Sequence, residues 1–487
     1  MELNPDGILE LNEIIYLNLK IKNILASVSE LSVKIQFINS YQPIVENSTL
    51  YIGKLDENEL IIVDSAFKMT LPHQAPPDFE IIIELLFFDG DDYVNSEFLS
   101  IIINPSYQTM DANNLSVTLN SRGNLAFNDY PMNFQGKGFR YKNGENLLYE
   151  GALMICLPPD KISDVARGYN QMRQNSGFYT DKVIEIKNPG IISKEESYAE
   201  YSSYEDEINV TTKVTQSAYQ FDEIGLEDII FVVYDIVNNS GRNYDSLYAA
   251  LYFDWDIGPN GANNKVFFDG NYGFGYVKNL AIDSLPKVGF SMLSAYDLNF
   301  YAIDNDGNSI ETIGVWDGFE RQEKILAMTS GIYRTESKVT DVSAVIGAGP
   351  INLKVNDTAR VTFALFTGND VEDMRHKIET ARIKAKNSGL ADGSYNPLAE
   401  KDTIIAVFPN PLFGEYLTVQ YLLSEGGYVS IDIFNVLGQQ VANLKSEEFL
   451  TARKHTDKFK INGLSQGRYY LRINTHRSVL IAPFEIH

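Results

Sequence analysis

Apolar and polar residues alternate along much of this chain, and that period of two limits its fold more than any other feature. In Leu31-Ser32-Val33-Lys34-Ile35-Gln36-Phe37, four apolar residues alternate with three polar ones. Successive side chains of a strand point to opposite faces, so the run reads as a half-buried β-strand. Ile15, Leu17, Leu19 and Ile21 repeat the pattern, as do Leu417, Val419, Tyr421 and Leu423 near the other end. Turn-forming pairs separate such runs at Asp6-Gly7, Asp89-Gly90, Asn143-Gly144, Asp306-Gly307 and Asn462-Gly463. Many short strands between turns imply antiparallel sandwiches and exclude a parallel α/β sheet.

One segment reads as a helix, near 370–388. Asn369-Asp370 can cap it, Glu372 and Asp373 suit its positive end, and Arg382, Lys384 and Lys386 suit its negative end. Val371, Met374, Ile378, Ala381 and Ala385 recur every three or four residues and share a face, and Gly389 ends it. A second, shorter helix is expected around Ser163–Gln174 on weaker periodicity. Polar, turn-rich stretches at 104–114 and 387–397 divide the chain. The expected fold is all-β and multi-domain. An immunoglobulin-like sandwich at 1–105 precedes a central β-rich domain at 115–390, a linker at 391–402 and a second immunoglobulin-like sandwich at 403–487.

Charge excludes several functions. The 487 residues carry 65 acidic and 40 basic side chains, a net charge of −25. That field repels phosphate backbones, so no nucleic-acid partner is expected. Residues 404–487 hold 8 basic and 7 acidic residues, whereas residues 1–403 hold 32 and 58, so the acidity lies ahead of the last domain. No run approaches the roughly 18 apolar residues of a transmembrane helix. Cys156, alone in Ala152-Leu153-Met154-Ile155-Cys156-Leu157, reads as a small buried hydrophobe.

The last domain holds seven strand-like runs, at 403–407, 416–423, 428–434, 440–444, 458–461, 468–474 and 478–486. Phe408-Pro409-Asn410-Pro411 opens it. Val429-Ser430-Ile431-Asp432-Ile433-Phe434-Asn435-Val436-Leu437-Gly438-Gln439-Gln440-Val441 forms its middle, and Gly463-Leu464-Ser465-Gln466-Gly467-Arg468-Tyr469-Tyr470-Leu471-Arg472-Ile473 stands near its end. Pro409 and Pro411 bar the entry from pairing as a central strand. Gly438 suits a hairpin turn with positive φ, and Gly467 a tight approach to the next strand. These three segments, in this order at the C-terminus, resemble the type A C-terminal sorting domain of the type IX secretion system. That resemblance assigns sorting motifs to Pro409, Asn410, Pro411, Gly438, Gly463, Gly467 and Tyr469. It implies passage through the type IX translocon to the outer surface or beyond, with a surface sortase-like peptidase as a further partner. The start, Met1-Glu2-Leu3-Asn4-Pro5-Asp6, has no signal-peptide pattern. With an export domain at the other end, the expectation is a C-terminal piece of a longer exported protein.

In the central domain, Phe253-Asp254-Trp255-Asp256-Ile257-Gly258 runs on through Asn263 to Asp269. Closely spaced carboxylates and amides suit Ca²⁺, which makes Asp254, Asp256, Asn263 and Asp269 a candidate metal set. The alternative is an acidic solvated turn with Trp255 packed inward. No other cofactor is expected. His73, His376, His455, His476 and His487 form no H-E-x-x-H, and no G-x-S-x-G occurs, so no catalytic residue is assigned and the chain is expected not to be an enzyme. Tyr272-Gly273-Phe274-Gly275-Tyr276 could serve as a glycan platform, or as part of a β core. The stretches 123–129, 136–141, 147–154, 251–258 and 349–353 resemble the region between catalytic and sorting domains in secreted subtilisin-like proteases. The expected function is therefore a non-catalytic exported region, attached to such a protease. The alternative is a cell-surface adhesin or carbohydrate-binding protein.

Overall fold

A computed structural model describes residues 8–169, 172–259, 261–307, 313–391, 401–424, 426–450 and 454–487. The chain is mostly strand and divides into two compact units, up to Ser106 and from Tyr107 onward. In the first unit, Ile14–Lys22, Leu60–Thr70 and Ile44–Val45 form one antiparallel sheet. Thr49–Leu55, Val28–Phe37, Phe79–Asp89 and Asp92–Ile103 form another. The alternation of 31–37 works as written: Leu31, Val33 and Ile35 are buried while Lys34 and Gln36 face solvent. Val33 and Ile35 meet Phe67 and Met69 of the other sheet in a shared core. Asp89-Gly90 is a hairpin turn whose Asp89 carboxylate accepts the Ser29 and Glu30 amides.

Two larger sheets dominate the second unit. The ten-stranded sheet has Leu148–Leu157, Tyr244–Trp255, Val342–Leu353 and Leu298–Asp304 as successive neighbours at its centre. The eight-stranded sheet runs from Phe178–Lys187 through Glu195–Ser203, Thr212–Gln220, Ile229–Asn238, Thr358–Gly368, Lys287–Met292 and Phe274–Asn279 to Asn264–Asp269. Their facing sides share one core, in which Trp255 stacks on Phe290 with ring centroids 5.8 Å apart. Trp255, Phe253 and Phe290 thus pack inward. Strands such as Val342–Leu353 are buried on both faces over most of their length, so their sequence is mostly apolar and shows little alternation.

Helix α2 (Val371–Asn387) stands where its caps and periodicity place it. Asp370 accepts the Asp373 amide, and Met374, Ile378, Ala381 and Ala385 pack with Phe231, Ala364 and Phe366 of the eight-stranded sheet. Two helix expectations need correction. Residues 161–164 form a strand, and Ala166 and Arg167 follow in irregular buried chain, so no helix forms around Ser163–Gln174 across the described residues. A helix does form at α1 (Arg321–Thr329), opened by a capping box between Glu320 and Glu323. Its periodicity is masked because Lys324 points inward, fully buried, and binds Asp164 at 2.6 Å.

The last seven strands form a three-stranded sheet (Thr403–Phe408, Tyr416–Leu422, Lys454–Lys460) and a four-stranded one (Gln440–Leu450, Gly427–Asn435, Gly467–Asn474, Val479–Ile486). Leu417, Val419 and Tyr421 from the first meet Val429, Ile431, Ile433, Leu471 and Ile473 from the second in a separate core.

Candidate functional site

The motif residues of the C-terminal domain tie its two sheets together and shape its turns. Phe408 ends the first strand, and Pro409 and Pro411 withhold amide donors on either side of Asn410. The Asn410 side chain accepts the Glu485 amide at 3.0 Å and donates to the Pro483 carbonyl at 3.4 Å. Leu412 then donates to the Glu485 carbonyl at 2.7 Å, and the His487 amide returns to Leu412 at 3.0 Å. The entry segment is thereby clipped to the last strand, a role for Asn410 that the prolines alone did not reveal.

Gly438 and Gly463 have φ of +76° and +74°, and no atom stands within 4 Å of where a Cβ would be. Backbone conformation, not space, calls for glycine there. The Gly438 turn is closed by Asn435, whose side chain accepts the Leu437 and Gln439 amides at 3.0 Å. At Gly467 the expected close approach is absent: nothing lies within 4 Å of where a Cβ would be. Tyr469 is buried, and its hydroxyl donates to the Ser465 carbonyl at 2.8 Å. Two buried carboxylates complete the domain. Asp432 accepts from Gln440, Asn443 and Arg472 at 2.8–3.1 Å. Asp402 accepts from Ser424, Thr475 and Ser478. Burial alone would raise the Asp402 pKa, but these donors hold it below its ordinary value.

In the central domain the strand register places Glu150, Asp254 and Ser343 side by side on three neighbouring strands. Arg167 lies between the two carboxylates, bonding Glu150 at 2.7 Å and Asp254 through its other arm. Asn305 donates to Asp254 at 2.8 Å, Ser343 bonds it at 3.1 Å, and Gln174 donates to Glu150 at 3.0 Å. The rings of Tyr130, Tyr149 and Tyr252 surround the guanidinium at 5.7–5.9 Å. Both carboxylates therefore have a fixed countercharge and a full set of donors. Arg167 escaped the sequence reading; the available signal was Glu150, a charge interrupting the apolar run 147–154.

The four residues of the candidate metal set do not form one site. Asp254 is committed to Arg167. Asp256 sits beside it, half-buried, and burial together with Asp254 and Asp341 pushes its carboxyl up to about 7. Asn263 is exposed in a turn. Asp269 closes the far end of the strand Asn264–Asp269, about 17 Å away at the usual strand rise. There it accepts the Asn271 and Tyr272 amides and pairs with Arg375 at 2.9 Å. Among the described residues, no three His, Cys, Asp or Glu side chains group to hold a metal. Cys156 is fully buried, and burial pushes its thiol pKa up, away from the reactive thiolate. His376 is exposed on α2. Of the Tyr272–Tyr276 stretch, Phe274 is in the core, while Tyr272 and Tyr276 are half-exposed.

A cleft of about 1060 Å³ opens between the hairpin 264–279, α2 and the C-terminal domain. Phe267 and Tyr276, directly opposite across the hairpin, line it with rings 5.1 Å apart and 15° from parallel. Arg334 and Arg375 come from the central domain, and Tyr428, His476 and Arg477 from the C-terminal one. The two domains also touch directly, through Tyr333 against Phe449 and a hydrogen bond from Gly426 to Ile332.

No curated protein matches the chain. Solved structures similar to it include a bacterial glucoamylase complexed with acarbose, at 12% identity and a TM-score of 0.35, covering 57% of this chain and 34% of that one. A polysaccharide lyase aligns at 13% identity and a TM-score of 0.25, covering 78% and 44%. The heparan sulfate lyase HepC from Pedobacter heparinus aligns at 12% and 0.29, covering 72% and 42%. The chain thus spans less than half the length of each. The resemblance to subtilisin-like proteases gains no support from these comparisons. No helix among the described residues is long and apolar enough to cross a membrane. Residues 406–484 match the family model described as secretion system C-terminal sorting domain, so the chain ends in a type IX sorting domain, the signal that takes a protein to the outer cell surface or the extracellular space.

Proposed function

We propose that the region ahead of the sorting domain is a non-catalytic, ligand-binding cargo that works outside the cell. The match over 406–484 carries the reading, since it supplies the route and engages the type IX secretion system. The non-catalytic part is supported by the Glu150–Arg167–Asp254 cluster, the most enclosed carboxylate pair that the central strands align. A carboxylate whose oxygens are already taken by a guanidinium and other donors in a buried site has no free position from which to exchange protons with a substrate. The translocon and a surface sortase-like peptidase are the partners this route requires. Deleting residues 404–487 in the native host tests it: the truncated chain is expected to stay inside the cell, and undiminished surface delivery overturns the reading.

A second reading, a carbohydrate-binding surface protein, is favoured by one observation. The paired rings of Phe267 and Tyr276 face an open cleft and are only half-buried. Flat rings of this kind pack against the C–H faces of sugars.

A further inference from the structure

Among the described residues no cation is buried more deeply than Lys324, on the inner face of α1. Its side chain is 0% exposed and that of its partner Asp164 is 2%. Nζ lies 2.6 Å from Asp164 Oδ1, and that is the only hydrogen bond it makes among the described residues. The Phe319 ring stands 5.5 Å away. An ammonium carries three protons, so two of them have no acceptor. Keeping both charges out of water is costly, and moving one proton from Nζ to Oδ1 leaves a neutral amine against a neutral carboxylic acid. An amine is a nucleophile, whereas an ammonium is not. Arg167, nearly as buried, differs in kind: its guanidinium keeps its proton and so pairs without reacting.

The carboxyl group is held in place for attack. The Ala166 amide donates to Oδ1 at 3.1 Å, and Asn175 Nδ2 donates to Oδ2 at 3.0 Å. The Asn175 donor stabilises the negative charge that grows on Oδ2 as an amine adds to Cγ. Both partners stand on regular elements. Asp164 ends the strand Lys161–Asp164, which pairs with Leu148–Leu157, and Lys324 lies in the capped first turn of α1. Two groups fixed at this range react as if at very high concentration. Asp164 and Phe319 also line an open cavity of about 620 Å³, which gives a released water a way out.

We propose that Lys324 and Asp164 condense into an isopeptide bond within the folded chain. The Nζ–Cγ bond forms and the Cγ–Oδ1 bond breaks. Two of the three ammonium protons leave with Oδ1 as water, and the third stays on the amide nitrogen. The opposite charges cancel, and no oxidant, reductant or cofactor takes part. The bond ties α1 to the ten-stranded sheet across 160 positions of sequence. Cys156 is the sole cysteine, so the chain has no internal disulfide. An amide cross-link supplies a covalent brace outside the cell, and no thiol can open it.

Mass spectrometry of the denatured full chain tests this directly. Its mass is expected to be about 18 Da, one water, below that of the sequence. A tryptic digest is expected to give residues 162–167 joined to residues 322–334 as one branched species, uncut after Lys324. Lys324→Arg keeps the charge but not the nucleophile, so its mass should return to the sequence value. A parent chain at full sequence mass, with 162–167 released as a free peptide, overturns the proposal. So does a deficit of the same size that persists in Lys324→Arg, since it then arises elsewhere.

Discussion

Arg167 is the residue on which the centre of the molecule depends. It compensates Glu150 and Asp254, both almost fully buried, and it reaches the second across 87 positions of sequence. Removing one partner of a buried ion network leaves charge without compensation, typically at about 3–5 kcal/mol. Arg167→Met is therefore expected to lower the urea midpoint of the second unit markedly, whereas an exposed pair such as Lys54–Asp56 is expected to change it little when broken. Asp256 makes an opposite kind of prediction. Its pKa is raised to about 7 in the fold from 3.8. Between about pH 4 and 7 the folded state thus holds a proton that the unfolded state has lost, so stability falls as pH rises through that window. The slope approaches about 1 kcal/mol per pH unit. Asp256→Asn removes it: relative to the parent, the variant's melting temperature should rise from pH 5 to pH 8, and parallel curves would contradict the assignment.

At the scale of elements, the parts readable in advance are those whose cause is local. Helix α2 carries its own cap at Asp370, its charge bias and an apolar face repeating every three or four residues. Helix α1 lacks that legibility because its inward face includes Lys324, whose partner Asp164 lies 160 positions earlier. The strand Leu148–Leu157 likewise hides its alternation, being buried on both faces. The hairpin at Gly438 is a local device, and its energetics should be local too. With φ at +76° and no neighbour to clash, Gly438→Ala is expected to cost about 1 kcal/mol through the backbone alone. Faster hydrogen exchange confined to Gly427–Asn435 and Gln440–Leu450 would report it; an effect spread through the ten-stranded sheet would speak against a purely local turn.

For the whole molecule, the separation into two compact units has a thermal consequence. The first unit has its own core, built on Val33, Ile35, Phe67 and Ile81. Calorimetry of the full chain is expected to resolve more than one transition, and a single two-state peak would show coupling that separate cores do not supply. Charge is divided as well, with a strongly acidic stretch before residue 404 and a nearly neutral domain after it.

The sequence by itself determined the β character, the placement of α2 and the identity of the sorting domain. Alternation, capping and turn conformation are properties of a few adjacent residues, and Pro409, Pro411 and Gly438 act within single turns. Only the tertiary structure decided which strands are neighbours, that Asp254 belongs to Arg167 and not to Asp269, and that Phe267, Arg375 and Arg477 share one cleft. Those outcomes depend on closing loops of tens to hundreds of residues around two packed cores, and no local pattern records which distant segments that packing brings together.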